Sequence, residues 1–290
     1  MEVNISILKI NDTIGLISCS NGLNENLKNK IDELVTLLTS LNINVSVSTA
    51  LYRNLDGSTL NSEYRAKELM KFYRDNNIKA IFDLSGGDLC NEILDYLDYE
   101  YILNSNKPFI GYSDLSVLLN ALYTKTNLIN FNYQLRNLIR ESSNMQKEYF
   151  INLFLKEEDM IASLNYNFIK GNYMEGVIIG GNIRCFLKLA GTNYMPSFED
   201  KILFLEALSG DINKISTFIA QYKQIGAFSN IKGLILGTFT ELEKTYTDLE
   251  ITNYFLENLK EYDFSIIKTS ELGHNPNSKA IPIGKKVIIK

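Results

Sequence analysis

The chain reads as an α/β protein: an N-terminal parallel-sheet domain over residues 1–140, and a smaller mixed α/β domain, rich in strands, over residues 173–290. Residues 141–172 read as a linker or crossover between them. Three observations predict this. Short apolar runs alternate with stretches of helical period through the first half, the pattern of parallel strands with helices on both faces. Residues 124–172 lose that regularity and are rich in Asn and other polar residues, as a connection between domains is. The strand pattern then restarts at Met174.

Taken in order, Thr13–Cys19 is a buried strand that runs into the polar loop Ser20-Asn21-Gly22. Residues 24–41 place Leu27, Ile31, Leu34, Val35 and Leu38 on one helix face. Asn44–Ser48 is a short β-rich run. After Asp56-Gly57 a helix spans 62–76, starting near Ser62. Lys79–Leu84 is the next strand; it ends at Ser85-Gly86-Gly87-Asp88, and a short helix follows to about Leu97. The strand Lys107–Gly111 leads to Ser113, and Leu115, Leu118, Leu119 and Leu122 mark one face of the helix beyond it. This is an open sheet of the flavodoxin- or Rossmann-like kind. Such sheets bind ligands at the C-terminal ends of their strands, so loops 19–23, 85–88 and 111–114 should converge.

The connecting region offers a further strand at Leu128–Phe131 and an amphipathic helix at 145–158, ending in Lys156-Glu157-Glu158-Asp159. Glu175–Asn182 is a strand into a glycine turn, followed by a helix Ile183–Ala190 that Gly191-Thr192 closes. Lys201–Glu206 is an apolar strand with a carboxylate at its end. A helix at 211–225, a strand at 231–237, a helix at 247–260 and a strand at 265–269 follow, and Ala280–Ile289 reads as a β-hairpin.

With 290 residues, 45% hydrophobic and 22% charged, the chain can bury a sizeable core. A net charge of −5 without a basic block argues against nucleic acid as a partner. Met1-Glu2-Val3-Asn4 lacks the basic and apolar regions of a signal peptide, and no apolar run is long enough to span a bilayer. The expectation is a soluble cytoplasmic protein with no membrane partner. The three cysteines, Cys19, Cys90 and Cys185, are odd in number and far apart, so neither a disulfide framework nor a thiolate metal site is expected. There is one histidine, His274, which excludes sites built on two or three imidazoles. No EF-hand spacing occurs, and no metal or cofactor is expected.

Chemistry could reside in four places. Ser113 stands at a strand-to-helix corner, which can present a hydroxyl beside helix N–H groups ready for negative charge; the same corner suits an ordinary helix N-cap. Gly86-Gly87 is either a turn needing positive φ or a pair of open backbone N–H groups for an anion. It is neither a P-loop nor G-x-G-x-x-G. Glu206 ends an apolar strand and needs a donor if buried, either in a structural bridge or in orienting a histidine. His274 lies in a Gly-His-Asn-Pro loop, as an exposed loop residue or as a base.

Together these pieces resemble the LD-carboxypeptidase family of serine peptidases, which includes the microcin C self-immunity proteins. The resemblance spans nearly the whole chain, in the family's order: Ile14-Gly15-Leu16-Ile17-Ser18; Gly86-Gly87 with Asn91-Glu92-Ile93-Leu94; Gly111-Tyr112-Ser113-Asp114; Gly180-Gly181-Asn182; Gly191-Thr192; Ile202-Leu203-Phe204-Leu205-Glu206; Gly233–Gly237; and Gly273-His274 with Pro282-Ile283-Gly284. It implies a Ser113–Glu206–His274 triad shared between two domains, and an oxyanion hole made by the backbone N–H groups of Gly87 and Asp114. It also marks Gly86, Asp88, Asn91 and Asn182 as candidate substrate contacts, and implies a homodimer. The implied reaction is release of D-alanine from a muropeptide tetrapeptide. The loop Ser85–Asn91 is more similar to the microcin-immunity branch, which implies instead cleavage of an amide joining an aminoacyl or peptidyl group to a nucleotide-like part. An idle homologue using the cleft as a binding module is a third reading. Where the family often carries His-Gly-Pro or Tyr-Gly-Pro, this chain has Asn130-Phe131-Asn132-Tyr133, and with no tryptophan any aromatic platform must be Tyr or Phe.

Overall fold

The computed structural model describes residues 7–140, 143–156 and 158–290. Met1–Asn4 and Glu157, both used in the sequence reading, lie outside the described residues.

The apolar runs of the first half form β1 (Thr13–Ile17), β2 (Asn44–Val47), β3 (Ile78–Asp83), β4 (Phe109–Gly111) and β5 (Asn130–Asn132). They lie parallel, in the order β5-β4-β3-β1-β2. Successive side chains of a strand point to opposite faces. Accordingly Ile14 and Leu16 join the apolar cluster that holds Leu34 and Leu38 of the helix Lys28–Ser40, while Ile17 joins the one that holds Leu69 and Phe72 of the helix Ser62–Arg74. Gly15 lies on this second face because a Cβ there would stand 2.5 Å from the Phe72 ring.

The second sheet contains β6 (Asn167–Lys170), β7 (Met174–Asn182), β8 (Lys201–Ala207), β9 (Gly233–Phe239) and β10 (Ser265–Lys268). The chain closes with β11 (Ile281–Ile283) and β12 (Lys286–Ile289). The sheet order is β12-β7-β8-β9-β10-β6, parallel through its centre with antiparallel edges β12 and β6.

The expected hairpin over Ala280–Ile289 does not form. β11 pairs antiparallel with β5 and becomes an edge of the first sheet, while β12 pairs with β7 in the second. Each strand finds an open edge in a different sheet, and the left-handed Gly284 (φ +91°) turns the chain between them. Pro282, which has no N–H for a ladder, is tolerated because β11 is an edge strand. β6 was not expected, nor was the helix Tyr99–Ser105, whose N-terminus Asp98 caps through the Tyr101 N–H. The helix expected at 145–158 covers Ser143–Phe150 and continues as a π-turn over Ile151–Leu155.

The helix Ser116–Thr126 joins the two sheets. Val117 through Leu122 are all buried, as befits a helix covered on every side. Asn120 donates to the Gly180 carbonyl at 2.8 Å and accepts the Gly180 N–H at 2.9 Å. β7 can approach this closely because Gly181 has no side chain: a Cβ there would lie 2.2 Å from the Ser116 Oγ. The C-terminal ends of both parallel sheets therefore meet around the start of this helix.

Candidate active site

The corner after β4 is strained. Tyr112 is extended and Ser113 has φ +57°, in the left-handed region that costs a non-glycine residue about 1 kcal/mol or more. The Ser113 hydroxyl caps no helix N–H, so the N-cap alternative is not what the fold uses. Leu115, bulky for so tight a corner, is accommodated from behind: a Cβ at Gly111 would stand 2.8 Å from the Leu115 Cβ. Gly86 faces the serine, with only 3.7 Å between the place of its missing Cβ and the Ser113 Oγ. Gly87 has φ +130°, and a Cβ there would strike the Asn21 side chain at 2.3 Å. The N–H groups of Gly87 and Asp114 donate to no acceptor among the described residues.

The three loops converge as the strand order predicts. Ser20 N–H donates to Ser85 Oγ (3.2 Å), Asn21 N–H to the Gly86 carbonyl (3.3 Å) and Asp88 N–H to Asn21 Oδ1 (2.8 Å). The fully buried Asp114 carboxylate accepts from Ser20 Oγ at 2.6 Å, Cys90 N–H at 2.9 Å and Lys188 Nζ at 2.5 Å. Beneath the loops, buried Arg65 donates to the carbonyls of Cys19, Ser20, Leu60 and Leu89 and pairs with Glu92 at 2.6 Å. Buried Asp83 accepts the N–H of Cys19 and both the N–H and hydroxyl of Ser85; burial pushes its carboxyl up to about 6. Sequence reasoning passed over Arg65, Asp83 and Lys188. The signal for Asp83 and Lys188 was a charge inside an otherwise apolar segment; Arg65, standing among Glu63, Lys67 and Glu68, gave none.

The second sheet supplies the other half. In the β7–β8 register Asn182 stands opposite Glu206. Asn182 Nδ2 donates to Glu206 Oε1 at 3.1 Å, and Glu206 Oε2 lies 2.6 Å from His274 Nδ1. The Glu206 and His274 side chains are only 2% and 5% exposed. The loop bearing His274 is fixed by the Thr238 N–H donating to the Leu272 carbonyl at 2.8 Å. Gly273, at φ +136°, is needed there because a Cβ would lie 2.1 Å from Thr238 Oγ1. His274 packs its ring 5.1 Å from that of Tyr112, the neighbour of Ser113. Its Nε2 is buried and has no hydrogen-bond partner among the described residues.

Thus Ser113, Gly86, Gly87 and Asp114 gather on the first sheet, Asn182, Glu206 and His274 on the second, with Tyr112 and Ser116 between them. Residues 14–133 match the LD-carboxypeptidase N-terminal domain and residues 175–289 match its C-terminal domain. The chain belongs to the LD-carboxypeptidase family. Among relatives, the putative carboxypeptidase YocD of Bacillus subtilis is 27% identical, covering 96% of this chain and 93% of its own. The murein tetrapeptide carboxypeptidase of Pseudomonas aeruginosa is 23% identical over 83% of this chain and 81% of its own. Among solved structures, the Escherichia coli microcin C7 self-immunity protein MccF in complex with glutamyl sulfamoyl guanosine has a TM-score of 0.87 at 23% identity. That match covers 97% of this chain and 93% of MccF, a likeness of fold.

Against the family expectations, the four candidate substrate contacts are placed differently from one another. Gly86 lines the serine. Asp88 is exposed and paired with Arg184 at 2.6 Å, whose hydrogen bond holds the carboxyl below the usual carboxylate range. Asn91 is exposed on the turn Cys90–Tyr96. Asn182 is buried, and its amide is engaged with Glu206 and with the Cys185 N–H. In place of the family's glycine and proline, Asn132 pairs with Gly111 in the first sheet. Among the described residues no cluster of three His, Cys, Asp or Glu side chains forms a metal site, and no helix is long and apolar enough to cross a membrane.

Proposed function

We propose that this member of the LD-carboxypeptidase family is a serine hydrolase with Ser113 as nucleophile, His274 as base and Glu206 as the group that orients it. The observation that carries the reading is the His274 ring. Nδ1 is held on the buried Glu206, Nε2 is left unpartnered, and the ring packs against that of Tyr112, the residue before Ser113. Hydrogen bonds in a resting site tighten when substrate binds.

In the reaction, His274 Nε2 takes the Ser113 proton as Oγ attacks the amide carbonyl carbon. The Gly87 and Asp114 N–H groups receive the oxyanion, each worth about 3–4 kcal/mol. His274 then protonates the leaving amine, and water removes the acyl group by the reverse steps. Glu206 keeps the imidazole in one tautomer and stabilises its charged form.

The substrate proposed is a peptide with a free C-terminus, a muropeptide tetrapeptide that loses D-alanine, in keeping with the relatives named as carboxypeptidases. The loop Ser85–Asn91 favours a second reading, hydrolysis of an aminoacyl- or peptidyl-nucleotide amide; MccF binds glutamyl sulfamoyl guanosine. A fluorophosphonate probe should label Ser113 in the wild type and fail to label the His274→Ala variant. Equal labelling of both would refute the assignment. Offering the tetrapeptide and an aminoacyl sulfamoyl-adenosine side by side separates the two substrates, and turnover of neither by a labelled enzyme counts against both.

A further inference from the structure

Arg184 and Lys188, four residues apart on the turn that follows β7, both reach across to the Gly86–Asp88 loop. They are used differently. Lys188 bonds the Asp114 carboxylate, which is fully buried, and the Asp88 carbonyl, and its side chain is 19% exposed. Removing it would strand a buried charge. Arg184 bonds Asp88 Oδ1 at 2.6 Å and the Gly87 carbonyl at 3.2 Å. Its side chain is 46% exposed and that of Asp88 58%. An ion pair this open to water contributes only about 0–1 kcal/mol, so another carboxylate can replace Asp88 at small cost.

The position gives that exchange a purpose. The carbonyl that Arg184 grips belongs to Gly87, the residue whose N–H is open, and Gly86 beside it faces the Ser113 hydroxyl. The other carboxylates of the cleft are already committed, Asp114 to Lys188 and Glu206 to His274. We propose that Arg184 is a specificity-determining residue that binds a free carboxylate of the substrate next to the scissile amide, displacing Asp88. The planar guanidinium matches a carboxylate with two parallel hydrogen bonds, which an amide cannot reproduce. The inference rests on the hydrolase reading and narrows it to acidic substrates.

The test measures binding, so it does not need turnover. Calorimetry on the Ser113→Ala protein would use two matched pairs. One is L-alanyl-γ-D-glutamyl-L-lysyl-D-alanine and its C-terminal amide; the other is glutamyl sulfamoyl-adenosine and its glutaminyl counterpart. In at least one pair the acid should bind about 10–100-fold more tightly, the range of a charge-assisted hydrogen bond. Adding Arg184→Gln should erase that preference and leave the amide's affinity unchanged, while adding Asp88→Asn should strengthen acid binding. A preference that survives Arg184→Gln, or no preference in either pair, overturns the proposal. Hydrolysis of either acid by the Ser113→Ala protein would instead overturn Ser113 as the nucleophile and leave the carboxylate preference standing.

Discussion

The Ser116 hydroxyl accepts the backbone N–H of Asn182 at 2.8 Å. Ser116 Oγ in turn donates to the Ser113 carbonyl at 2.7 Å. One run of hydrogen bonds therefore leads from the backbone of the Ser113 corner through Ser116, Asn182 and Glu206 to His274, crossing from the first sheet to the second. The separation of serine and histidine is set by this seam and by the Asn120–Gly180 bonds beside it.

Breaking the seam at Asn182 should therefore cost activity before it costs the fold. Asn182→Ala leaves Glu206 Oε1 without its donor and removes the cap on the helix Ile183–Phe186. A drop in kcat of about 10–100-fold is expected, with about 1 kcal/mol of stability lost. Asn182→Asp, which sets a second carboxylate against Glu206, should fall further. Steady-state kinetics paired with urea unfolding would check this, and wild-type kcat in a folded Asn182→Ala protein would show that Glu206 needs no such support.

Strain at Ser113 gives a second expectation. Ser113→Ala and Ser113→Gly both remove the proposed nucleophile, but only glycine relieves the φ of +57°. The glycine variant should be the more stable of the two by about 1 kcal/mol, less whatever chain entropy glycine adds to the unfolded state. Denaturant midpoints would report it. An alanine variant more stable than the glycine one by the whole of that entropy, about 0.4–1 kcal/mol, would mean that the corner holds no strain.

The pH dependence of stability should carry a mark from Asp83. Its carboxyl is raised from 3.8 to about 6 by burial, so the folded protein holds this proton more tightly than the unfolded chain. The contribution to stability is then fully present below about pH 4 and is lost as pH rises towards and through about 6, a change of about 3 kcal/mol. Asp83→Asn has no proton to lose. The wild-type minus Asp83→Asn difference in unfolding free energy should decline between about pH 4 and pH 6 and level off above. A difference that rises over that interval would show the hydrogen bonds from Cys19 and Ser85 outweighing burial.

Much of this fold was legible in one dimension because its strands are short apolar runs separated by helices of clear period. The crossover rule then brought loops 19–23, 85–88 and 111–114 to one edge without any coordinates. The helix Ser116–Thr126 was readable for the same reason, although it proved buried on nearly every side. Ala280–Ile289 failed as a hairpin because two adjacent β-runs carry no mark of which free edge each will join. Asp83 was missed because a lone charge within an apolar segment looks the same in sequence whether it is solvated or buried with partners, and Arg65 because Glu63, Lys67 and Glu68 around it read as a solvated helix.

Residue order was sufficient for the α/β class and for the family resemblance, and it nominated Ser113, Glu206 and His274 as candidates, since each sits at a local break in pattern: a corner, a strand end, a glycine loop. It could not say that Glu206 and His274 lie 2.6 Å apart, that Asn182 supports Glu206, or that Ser116 ties both to the serine. Those relations depend on the two sheets approaching closely enough for Gly181 to touch Ser116. Only packing decides that distance, because it is set by the volume of side chains that are far apart in the chain.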